Sequence, residues 1–80
     1  MKHYQQFKSS DLSLVALLRL YDYRVVGTER IGTKTFFVFQ ASARLESIVN
    51  QFWNNELKVS PLKYFDSLKS SKSYIYKITV

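Results

Sequence analysis

The chain predicts an α+β domain, a small antiparallel sheet packed against three helices in the order β-α-β-β-α-α. Three observations predict it. Two aromatic and β-branched runs, Tyr23 to Arg30 and Lys34 to Gln40, flank Ile31-Gly32-Thr33, where glycine can supply the positive φ of a hairpin turn. Ala41, Leu45, Ile48, Val49, Phe52 and Trp53 recur at the spacing of one helical stripe. Finally, no repeat, low-complexity tract or Pro/Gly-rich linker interrupts the 80 residues, so residues 1–80 read as a single domain. A chain this short buries only about 60% of the surface its unfolded form exposes. Nearly every large apolar residue is therefore needed for the core.

Taken in order, His3 to Lys8 alternates around Tyr4 and Phe7 and predicts a short first strand. Ser9-Ser10-Asp11 can cap a helix running from Leu12 to Tyr21, apolar except for Ser13 and Arg19 and hence mostly buried. In the hairpin that follows, Phe37 and Phe39 share one face of the second strand while Phe36 and Val38 share the other. A sheet covered on one side normally alternates with polar residues, so either helices cover both faces or one face is an aromatic surface for a partner. Ser42 caps the second helix, which Phe52 and Trp53 are expected to anchor in the core, and Asn54-Asn55 can end it in the left-handed conformation. Leu57 to Val59 is an extended link. Ser60-Pro61 restarts a helix, with Leu62, Phe65 and Leu68 on one side. Beyond Lys72 the readings compete: Ser73 to Val80 is β-branched and aromatic, which by propensity is strand.

Composition excludes most chemistries. With no cysteine there is no disulfide framework, thiolate nucleophile or Cys-ligated zinc, and a reducing cytosol suits the chain. The polar Met1 to Ser10 start and the absence of a long apolar run predict neither a secretory signal nor a membrane span, so a cytoplasmic location is expected. His3 is the single histidine and reads as a solvated side chain. Asp11, Asp22, Glu29, Glu46, Glu56 and Asp66 form no close helical pair; Asp11 reads as a cap, Glu46 and Asp66 as first-turn charges and the rest as solvated. No metal-ligand cluster and no glycine-rich nucleotide fingerprint is present, so no catalytic residue, cofactor or metal is expected.

Charge carries the positive signal. Twelve Lys and Arg against six Asp and Glu give a formal +6, yet residues 1–57 are nearly balanced with seven basic and five acidic groups. Lys58, Lys63, Lys69, Lys72 and Lys77 face only Asp66 in the last third, a surplus of four. Such a patch attracts phosphate backbones through counterion release, and the interleaved Tyr64, Tyr74 and Tyr76 could stack on bases. The competing reading is a solvated helix face with lysines near its negative end and tyrosines half-buried in the core. The Lys34 to Phe39 strand lacks the glycine and aromatic spacing of RNA-recognition modules.

Phe7-Lys8-Ser9-Ser10-Asp11-Leu12, Tyr23-Arg24-Val25-Val26-Gly27, Phe36-Phe37-Val38-Phe39, Phe52-Trp53-Asn54-Asn55-Glu56-Leu57-Lys58-Val59 and Pro61-Leu62-Lys63-Tyr64-Phe65 mark a further similarity. Together they resemble a family of short prokaryotic and phage domains of unknown function. The resemblance spans most of the chain and rests on caps, core and turns, so it implies a fold and carries no catalytic residues. It also implies that the final lysine-rich segment continues as helix, at least through about Lys72. Two functions are expected from these readings. One is a non-enzymatic accessory module that engages nucleic acid or a nucleoprotein complex through its lysine-rich end. The other is a protein-interaction module using an aromatic surface, such as a phage or mobile-element inhibitor of a host protein or a homo-oligomeric adaptor.

Overall fold

The computed structural model describes residues 5–79. Its elements are β1 (Gln6–Ser9), α1 (Leu12–Leu20), β2 (Gly27–Ile31), β3 (Lys34–Gln40), α2 (Ala43–Trp53) and α3 (Pro61–Thr79). The α+β class and the order β-α-β-β-α-α are those the sequence predicts. All strand pairs are antiparallel and β3 lies in the middle, giving the sheet order β1-β3-β2. The expected positions of His3 and Tyr4 lie outside the described residues.

Each helix begins as its local residues dictate. Asp11 accepts a hydrogen bond from the Ser13 amide at 3.0 Å, and Ser42 Oγ accepts from the Leu45 amide at 3.1 Å. Pro61 opens α3 without losing a bond, and the Ser60 hydroxyl accepts from the Lys63 amide at 3.4 Å. The first two helices end in the same motif. Asn55, at φ 60°, donates to Phe52 O while Glu56 donates to Gln51 O; Asp22, at φ 69°, donates to Arg19 O while Tyr23 donates to Leu18 O. These paired bonds satisfy carbonyls left free at the helix end and reverse the chain.

That second reversal corrects the expected strand. Residues 23–26 are taken up in leaving α1, so β2 starts at Gly27 and runs to Ile31, although the Val26 amide still donates to Val38 O at 2.8 Å. At the hairpin, Gly32 alone has positive φ (62°) and Thr33 does not, the φ pattern of a type II′ turn, which matches the twist of its strands.

Phe37 and Phe39 are fully buried with Leu14, Val15, Leu17 and Leu18 of α1 and Leu45, Ile48 and Val49 of α2. This is the core, and it lies on one face of the sheet. Val38 is also buried, on the other face, where Lys8 on β1 and Glu29 on β2 form a 2.8 Å ion pair. Lys8 stands opposite Val38 and Glu29 opposite Phe36, so the pair spans the central strand. Being about 40% exposed at each end, it contributes at most about 1 kcal/mol. On this second face Val38 is buried and Phe36 half-buried, so the face is not an open aromatic surface.

One further expectation is corrected, and two points the sequence leaves open are decided. Trp53 is not a core anchor: it is 60% exposed and meets the half-buried Phe52 edge-on at 4.9 Å. It closes the stripe at its margin, rotated about 100° from Phe52. Leu62 and Phe65 are exposed rather than packed. Lastly, the tail is helical through Thr79, and no strand forms from Ser73 to Thr79. A helix keeps its backbone bonds internal and delivers Tyr74 and Ile75 to the core, whereas a strand would need a sheet edge.

Candidate nucleic-acid interface

The site is decided by which way α3 faces. Tyr64 Oη donates to Ser13 O at 2.9 Å, Ser67 Oγ donates to Ala16 O at 2.7 Å, and Arg19 Nη1 donates to Ser71 Oγ at 3.0 Å. The partners are 51, 51 and 52 residues apart, so α3 runs in the same direction as α1. Two of these bonds use carbonyls already engaged in α1, through their second lone pair. Such contacts require close approach. Ala16 and Ser71 are small and wholly buried at the contact, where larger side chains would hold the helices apart. Tyr74 completes the inner face, its ring 5.6 Å from Phe37 with the Arg19 guanidinium 5.6 Å from its centroid.

This contact turns two of the three expected stacking residues inward. Tyr64 and Tyr74 are half-buried, and their rings belong to the α1 and sheet contacts. Burial, and after it the negative charge of Asp11, raises the Tyr64 phenol above its ordinary value, so it remains a protonated donor. Tyr76, in contrast, is 72% exposed.

All five lysines face solvent. Lys58 lies in the link before α3, Lys69 and Lys72 lie on its outer side, and Lys63 and Lys77 are exposed on a flank; none joins an ion pair among the described residues. Asp66, three residues from both Lys63 and Lys69, is exposed and likewise unpaired. At about 100° per residue, Lys72, Phe65, Tyr76, Lys69 and Leu62 fall within an arc of about 80°. Lys77 lies about 60° and Lys63 about 100° beyond Leu62, which puts Lys63 on the side of α3 opposite Lys72. The structure therefore brings Lys69 and Lys72 together with Tyr76 and adds Phe65 and Leu62, which the sequence reads only as apolar residues on one side of this helix. A signal for this was present: Tyr64, Ser67, Ser71 and Tyr74 recur at i, i+3, i+7 and i+10, a hydroxyl-bearing stripe that competes with Leu62 and Phe65 for the inner face.

Elsewhere, an open groove of about 570 Å³ is lined by residues including Asp22, Arg24, Gln40 and Ser42, with none from α3. Among the described residues no helix is long and apolar enough to cross a membrane. Comparison with protein-family models, curated proteins and solved structures finds no match for this chain.

Proposed function

We propose that this chain is a non-enzymatic basic module that binds nucleic acid, free or within a nucleoprotein complex, through the exposed lysines of α3 and Lys58. The observation that carries this reading is that all five lysines of the last third are exposed and unpaired among the described residues. Ammonium groups not already neutralised by a carboxylate are free to displace counterions from a phosphate backbone. Replacing Lys63, Lys69 and Lys72 together by Gln removes three of these charges at exposed positions. The triple variant should melt like the parent, and its binding to a labelled oligonucleotide at low salt should be largely lost. Unchanged binding overturns the proposal.

A second reading, a protein-interaction module, is favoured by one observation: Leu62, Phe65 and Trp53 are each 60% exposed or more. Large apolar side chains left in solvent can mark a contact surface. A partner captured after nuclease treatment and lost on Leu62→Ser would support it over the first.

A further inference from the structure

From the outer face of α3, we infer that the nucleic acid bound is single-stranded and that Phe65 and Tyr76 are the platforms on which its bases stack. This rests on the nucleic-acid reading above and gives it a substrate class. Phe65 and Tyr76 are 60% and 72% exposed, and Lys69 and Lys72 lie between them along the helix. Eleven residues at 1.5 Å each separate the two rings by about 16 Å along the axis. At the stacked rise of about 3.4 Å per nucleotide this distance holds about five nucleotides, and fewer of a splayed strand. An unpaired strand can place one base on each ring and the intervening phosphates against the two lysines.

A duplex fits this face less well. Its bases are stacked inside and offer no faces to the rings, and of the side chains that pair bidentately with purine edges in the major groove α3 offers only lysine, with no Arg, Asn or Gln. A second copy of the chain fits poorly too. Leu62, Phe65, Lys69, Lys72 and Tyr76 stand at i, i+3, i+7, i+10 and i+14, a coiled-coil seam whose third and fourth positions are lysine. Two such seams would press like charges together. The same intermixing opposes insertion into a lipid surface, because Lys69 and Lys72 lie within the apolar arc instead of on a separate polar face.

The test is fluorescence anisotropy of the full chain with a ten-nucleotide oligothymidine and with a blunt duplex of equal length, at one low salt concentration. The single strand should bind at least about tenfold tighter. Phe65→Ala and Tyr76→Ala should each weaken single-strand binding about 5- to 100-fold and leave duplex binding unchanged. Phe65→Leu, which keeps the bulk and loses the π face, should weaken it as Phe65→Ala does. Both positions are exposed, so every variant should melt like the parent. Equal affinity for the two nucleic acids, or single-strand affinity unchanged by both alanine variants, overturns the inference while the nucleic-acid reading stands. Binding to neither probe overturns both. Sedimentation showing self-association that Phe65→Ala abolishes, with single-strand affinity unchanged, assigns the face to a second copy and likewise overturns it.

Discussion

Two tyrosines show how one residue type takes opposite energetic roles. Tyr64 buries its ring and donates to Ser13 O, while Tyr23 has a buried hydroxyl with no hydrogen-bond partner among the described residues. An unmatched buried hydroxyl loses its hydration without recompense, so Tyr23→Phe should stabilise the protein by about 1 kcal/mol, read from the urea midpoint. Tyr64→Phe should cost about the same. Tyr64 also links stability to pH. Its phenol is held above its ordinary value of 10.0 in the folded state, whereas in the unfolded chain it ionises at that value. Above about pH 10 the unfolded state therefore binds fewer protons than the folded one, and stability falls as pH rises. Urea midpoints across this range should drop for the parent and drop less for Tyr64→Phe. Residue character left the choice open: Tyr64 read as a stacking ring beside lysines or as half-buried core, and its partner on α1, 51 residues away, assigns it inward.

At the scale of elements, local chemistry was legible where it is self-contained. Asp11, Ser42 and Ser60 cap the helices their positions announce, and the Gly32 turn closes the hairpin. The two glycines separate two effects. Gly32→Ala forces a side chain onto φ 62° and should cost more than about 1 kcal/mol, whereas Gly27→Ala meets open space in β2 and should gain about 0.4–1 kcal/mol by restricting the unfolded chain. Thermal melts of the pair should shift in opposite directions. Legibility ended where elements compete for a face. The strand propensity of residues 74–79 yields to a helix because Tyr74 meets Phe37 and Arg19 from α3. Leu62 and Phe65 yield the inner face because Ser67 and Ser71 allow α1 and α3 the close approach that their hydrogen bonds need.

The whole molecule is flat, 39 × 34 × 19 Å, with a radius of gyration of 12.8 Å against about 11.6 Å for a compact chain of this length. Its accessible surface of 5975 Å² likewise exceeds the roughly 5000 Å² usual for its mass. The long α3 accounts for part of this, presenting about 28 Å of helix along one side of the domain. Charge is as uneven as shape, since the last third holds four of the six net positive charges. If four lysines each neutralise a phosphate, the logarithm of duplex affinity should fall against the logarithm of salt concentration with a slope near −3.6, and for a single strand near −2.8. Anisotropy titrations over a salt series measure it, and a flat response excludes a phosphate interface. From composition and pattern alone came the α+β class, the strand and helix order, the caps, the charge surplus and its confinement to the C-terminal third, because each depends on residues near one another in the chain. Packing of α3 against α1 settled which rings and lysines share the solvent side. That outcome turns on hydrogen bonds between residues 51 and 52 positions apart and on the small volumes of Ala16, Ser67 and Ser71, a fit between two surfaces that neither segment specifies without the other.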